Sequence, residues 1–167
     1  MLPLYYKDRI KLKRVKMIRR LIKIVFALVF VAVIAAAGGL IYLRHCEWNP
    51  EQAAEYATEN AEKKSVGMCA LYVRKAINAG GIPLWRCGSA WRYNKVLTML
   101  NFREVAVNEE RKVGDIVVFQ PIGGRKHGHI AIWNGRQWVS DFRQRNFIVH
   151  SDYTTEGAQW AIFRRER

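Results

Sequence analysis

The chain has 167 residues, 50% of them hydrophobic, with 28 Lys or Arg against 14 Asp or Glu and a formal charge of +14. That length allows about one ordinary domain once any targeting segment is set aside. The charge does not point to nucleic acid, because it is divided unevenly. Residues 1–44 carry ten Lys or Arg and one Asp (+9), and residues 45–167 carry eighteen and thirteen (+5), so most of the basicity belongs to the N-terminus.

Residues 24–43, IVFALVFVAVIAAAGGLIYL, form an uncharged run as long as a helix needs to cross the hydrocarbon core of a bilayer. Eight Lys or Arg and the single Asp8 precede it within the first twenty residues. This asymmetry predicts a single-pass signal anchor in the inner, cytoplasmic membrane. Residues 1–23 stay in the cytoplasm, 24–43 span, and 45–167 form a domain on the periplasmic, cell-wall side. A cleaved signal peptide is the rival, with Ala35, Ala36 and Ala37 as its small-residue site. The apolar continuation from Gly38 to Leu43 favours the uncleaved anchor. The remaining +5 suits an anionic partner such as a wall polymer or lipid surface.

Asn49-Pro50 begins the next element, with Asn49 as N-cap and proline at the first helical position. A second start at Ser65 leads into VGMCALYVRKAINAGG, whose Met68, Leu71, Tyr72, Ala76 and Ile77 recur at helical spacing before Gly80-Gly81. Cys69 falls in its first turn. A third helix is predicted from Ser89 through Trp91, Val96, Leu97 and Leu100, stopping at Asn101. The period then changes: FREVAV, DIVVFQ, HIAIW, QWVSDF, FIVH and WAIFRR read as short strands. Helices followed by strands predict an α+β fold with N-terminal helices on an antiparallel sheet. Trp85, Trp91 and Tyr93 follow the second helix and read as core more readily than as stacking platforms.

A cysteine attacks as its thiolate, and a helix start favours that form through its dipole and free N–H groups. Cys69 is so placed. A thiol nucleophile also needs a base, and Lys126-His127-Gly128-His129 supplies two candidates. His129 opens an alternating strand and has a defined face; His127 lies in a loop. Asp141 is the candidate to hold the imidazole, provided the turn after Trp133 has an odd number of residues, such as Asn134-Gly135-Arg136. A two-residue Asn-Gly turn sends Asp141 to the other face, leaving Ser140, Gln144 or the more distant Asp152. Gly114-Asp115 reads as a structural turn. No third metal ligand accompanies His127 and His129, and no phosphate-binding glycine motif occurs, so neither metal nor cofactor is expected. With Cys69 assigned, Cys46 and Cys87 are left and could pair in an oxidising compartment, but nothing in the sequence fixes their distance.

SVGMCALYVRKAINAGG, KVGDIVVFQ and GHIAIWNGRQWVSDF, in this order over residues 60–165, resemble the CHAP-type branch of the papain-like, NlpC-related cell-wall peptidases and amidases. The last stretch also resembles amidase toxins delivered between bacteria and phage lysis enzymes. The resemblance implies a papain-like fold and a bacteriolytic peptidoglycan hydrolase, with Cys69 as nucleophile, His129 as base and Asp141 as orienting residue. Its product would be a thioester acyl-enzyme from a stem-peptide or muramoyl-peptide amide, its partners peptidoglycan and, for a toxin, a cognate inhibitor or immunity protein. The backbone N–H of Cys69 would hold the oxyanion, with Tyr56 or Gln52 as neighbouring donors. Two other functions fit the same residues: deamidation or cross-linking of protein glutamines, and non-catalytic binding to the cell wall.

Overall fold

The computed structural model describes residues 4–166, with side chains from Arg14 onward except that of residue 15. Residues 1–3 of the expected basic segment 1–23, and the side chains of 4–13 and 15, lie outside what is described. The chain divides into two compact units, Met1–Tyr42 and Leu43–Arg167. Helix α1 runs over Leu4–His45, and its stretch Lys16–His45 is long and apolar enough to cross a membrane, a test that a signal sequence near an N-terminus also passes. Its large apolar side chains from Leu21 to Ile34 are exposed.

The second unit is α+β. Helix α2 (Pro50–Glu59) starts as its sequence dictates, with the Asn49 side chain accepting from the Gln52 N–H at 2.9 Å and proline at the first position. Helix α3 (Cys69–Ala79) packs on α2 and against the sheet, burying Val73, Ala76 and Ile77. The third predicted helix begins instead as a 3-10 turn at Ala90–Arg92 and becomes α4 over Tyr93–Met99. It ends where Asn101 turns left-handed at φ 62°, a conformation asparagine tolerates.

Five antiparallel strands follow: β1 (Arg103–Val105), β2 (Ile116–Phe119), β3 (His129–Trp133), β4 (Trp138–Val139) and, after the short helix α5 (Ser151–Thr155), β5 (Trp160–Arg164). Their order in the sheet is β1-β5-β2-β3-β4. Every residue of β2 and the first four of β3 are buried. Each large apolar side chain removed from water there stabilises the fold by about 1.5–3 kcal/mol. The register places Phe119, the last residue of β2, opposite His129, the first of β3, so His129 stands at the edge where the sheet meets α3.

The FIVH segment is not a strand. Phe147, Ile148 and Val149 lie over the sheet core as partly buried cover, and Phe147 stacks edge-on against Trp160 at 4.9 Å. Their apolar content reflects packing onto a sheet face, not pairing within it. Cys46, Cys69 and Cys87 are all free thiols, so the Cys46–Cys87 pairing is not formed.

Candidate active site

Three backbone segments build the site. The first is the start of α3, where Cys69 is the first helical residue and half-buried. Met68, the N-cap, offers no side-chain cap, and its carbonyl takes the N–H groups of Leu71 and Tyr72. The amides of Cys69 and Ala70 are thereby left to face the sulfur, which also receives the backbone N–H of Ile130. The thiol therefore lies against the mouth of β3, one residue from His129.

The second segment is the turn leading into β3. Gly128 has φ +64°, and a Cβ there would run into the Phe119 carbonyl, so only glycine lets His127 and His129 pass this close to β2. His129 is buried at 6% exposure, whereas His127 is exposed, with its Nδ1 2.8 Å from Ser89 Oγ.

The third segment is the chain after β3, where the turn takes neither of the lengths considered from sequence. Trp133 pairs with Trp138 across four residues, because the Asn134 side chain accepts from both Arg136 and Gln137 N–H groups and widens the loop. The even count turns Asp141 away from His129. The ladder then stops at Val139, and the chain folds back on itself, with Ser140 N–H bonded to the Phe142 carbonyl and Gln144 N–H to that of Trp138. This reversal brings Gln144, buried at 2%, to His129, with Gln144 Nε2 2.6 Å from His129 Nε2.

Asp141 instead grips the loop before the nucleophile. Its Oδ2 accepts from Val66 N–H at 2.7 Å, Ser65 Oγ at 3.0 Å and Met68 N–H at 3.3 Å, while Oδ1 accepts from Ser140 Oγ at 3.0 Å. The Asp141 carbonyl adds a bond from Glu62 N–H at 2.8 Å. The carboxylate thus fixes residues 65–68 and, through them, the position of Cys69. Asp152 is engaged elsewhere, with Arg125 at 3.0 Å.

The chain is similar to one in a solved type VI effector–immunity complex, Tae3–Tai3 from Ralstonia pickettii. The likeness has 42% sequence identity and a TM-score of 0.66, and covers 71% of this chain and 100% of the matched one. The selenomethionine form of the same complex matches at 42% identity and a TM-score of 0.62, covering 66% of this chain and 97% of its own. The chain belongs to the Tae3 family. The CHAP resemblance thereby narrows to a different branch, that of type VI effectors. No family model and no curated protein matches the chain.

In this Tae3-family chain the thiol and the imidazole are held neutral. Burial pushes the Cys69 thiol up, the Ile130 N–H pulls it back, and Asp141 raises it further. A helix start alone predicts the opposite, and burial outweighs it. His129 is pushed down to about 4 by burial, partly countered by Asp141. Burial also works against the Asp141 carboxylate, yet the N–H groups of Val66 and Met68 and the hydroxyls of Ser140 and Ser65 hold it below the usual range. A buried neutral imidazole makes stability fall with acid. Below pH 6.5 the unfolded chain binds a proton at His129 that the folded chain refuses until about 4. The loss runs through that window, amounts to about 3 kcal/mol and stops below it. Denaturant unfolding of the wild type and His129→Gln from pH 7 to 4 should show a clearly smaller pH slope in the variant; equal slopes would contradict a neutral, buried His129.

Two cavities flank the thiol loop. One, of about 350 Å³, is lined by Lys63, Lys64, Arg143 and Arg145 beside Gln144. The other, of about 550 Å³, opens on Cys69 and runs past Arg74, Arg86, Cys87 and His127. Neither Gln52 nor Tyr56 lines it. Tyr93 is core at 1% exposure, while Trp85 is 70% exposed and Trp91 37%. Sequence reasoning missed the grip of Asp141 on residues 65–68. The serine pair Ser65 and Ser140, both able to donate to one carboxylate, was the available signal.

Proposed function

We propose that this Tae3-family chain is a cysteine amidase that cleaves peptide amide bonds of peptidoglycan on a papain-like scaffold. The observation that carries the reading is the Cys69 thiol at the first residue of α3, in contact with the Ile130 N–H beside a buried His129. Cys69 is the nucleophile and His129 the base. Gln144 orients the imidazole. Turning its amide over would let the otherwise unpartnered Gln144 Oε1 accept from His129 Nε2–H, leaving Nδ1 to exchange the proton. Asp141 is a positioning residue that holds the loop before the nucleophile.

Because thiol and imidazole both rest neutral, proton transfer accompanies attack. The sulfur bonds to the scissile carbonyl carbon as its proton passes to His129. The oxyanion then lies near the free amides at the start of α3. Collapse breaks the C–N bond, the amine leaves with the proton from His129, and a thioester remains. Water next attacks that carbonyl while His129 takes its proton, and the returning thiolate recovers it as the acid product departs.

Helix α1 serves in this reading as an inner-membrane anchor, with the basic segment in the cytoplasm and the catalytic unit on the wall side. An immunity protein is the proposed partner, since the related Tae3 is seen in complex with Tai3.

The thioester can be intercepted. Digestion of purified peptidoglycan in the presence of hydroxylamine should yield peptide hydroxamates in a share that rises with hydroxylamine. Products ending only in carboxylates, at every concentration, would contradict an acyl-enzyme.

A further inference from the structure

The cavity that opens on Cys69 carries two guanidiniums and no carboxylate. Arg74, half-buried on α3, gives one N–H to the Leu84 carbonyl at 3.3 Å and has no acidic partner among the described residues. Arg86, exposed and lining the same cavity, makes no hydrogen bond or ion pair among them. By contrast the buried Arg164 is paired with Asp115 and Glu109, and the half-buried Arg125 with Asp152. Two like charges facing one cavity repel, and a fold gains nothing from leaving them there. An anion entering the cavity reverses that sign.

We infer that Arg74 and Arg86 form a subsite for a free carboxylate of the substrate, set next to the scissile amide. The inference rests on the amidase reading and names the substrate class: peptides acidic beside the cleaved bond, as opposed to the same peptides amidated there. Distance fits. Arg74 lies five residues beyond Cys69, about 7.5 Å along the helix axis. An extended peptide advances about 3.5 Å per residue, so a carboxylate one or two residues from the attacked carbonyl reaches the guanidinium. A guanidinium offers paired N–H donors to both oxygens of a carboxylate, whereas a carboxamide presents one acceptor and a repelling N–H group. The cavity volume of about 550 Å³ holds a short peptide segment.

The test uses the full-length Cys69→Ala chain in detergent and two soluble muropeptides, disaccharide-linked stem tetrapeptides with all carboxyls free or all converted to carboxamides. The free acid should bind about tenfold or more tightly. Arg74→Gln with Arg86→Gln should bring the two ligands to within about threefold. Arg86→Gln alone removes no intramolecular bond, so its folding is secure, and it should lower the preference severalfold. Equal binding of acid and amide, or a preference that survives both substitutions, would overturn the inference. Binding is read without turnover, so a wild type that releases no peptide fragments from whole, cross-linked peptidoglycan would contradict the amidase reading separately.

Discussion

Replacing Cys69 with serine should abolish peptidoglycan cleavage, lowering turnover by about 10⁴-fold or more, while leaving the unit folded. The size of the loss follows from the surroundings of the sulfur. His129, with a pKa near 4, is a weak base in the resting state. It deprotonates a thiol as the carbon–sulfur bond forms, but a serine hydroxyl is many units more basic and stays protonated beside it. The fold should tolerate the change, because Cys69 is only half-buried and its helix gains its stability from Val73, Ala76 and Ile77. Circular dichroism and unfolding midpoints near the wild type, together with lost release of fragments, are the expected pair of results. Retained activity in the serine variant would place the nucleophile elsewhere.

Asp115→Ala should remove about 3–5 kcal/mol of stability, enough to threaten folding of a unit whose total margin is of the order of 5–15 kcal/mol. Asp115 is fully buried at the start of β2, and Arg164 at the end of β5 is 3% exposed. The guanidinium meets the carboxylate twice, Nε to Oδ1 and Nη2 to Oδ2, each at 2.7 Å. Asp115 Oδ2 also accepts from the Lys112 N–H at 2.9 Å, closing the turn at Gly114. Removing the carboxylate leaves a buried arginine with Glu109 at the rim as its remaining acidic partner and the Glu110 carbonyl at 2.7 Å. Denaturant midpoints check this, and a loss below about 1 kcal/mol would mean that Glu109 suffices. Because Asp115 lies outside the site, whatever fraction folds should keep its activity.

The legible parts of the fold were those with a local signature. Asn49-Pro50 specified its own cap, and short β-branched and aromatic runs marked β2, β3 and β5, which are largely buried in the sheet. The departure at residues 147–150 has a simple cause, which is that strand-like apolar residues also serve to cover a sheet. Phe147, Ile148 and Val149 do so without pairing. In the site, Cys69 and His129 stood out because each opens a regular element. Their supporting residues did not. Whether Asp141 or Gln144 reaches the imidazole depends on the number of residues between Trp133 and Trp138 and on a reversal at Ser140, and a side chain, Asn134, sets the first. Parity itself holds, since a turn of two or of four residues alike sends Asp141 to the other face; the odd count that would bring it to His129 is excluded by the Asn134 side chain, which no backbone rule reveals. The thiol's raised pKa was also out of reach, because the helix start is visible in sequence and the burial that outweighs it is not.

Purified peptidoglycan incubated with the full-length chain in detergent, beside the Cys69→Ser variant, tests the central claim most directly, with released fragments identified by mass spectrometry. The account predicts fragments with new peptide amino and carboxyl ends from the wild type and none from the variant. The same fragments from both, or fragments cut only within the glycan, would contradict it.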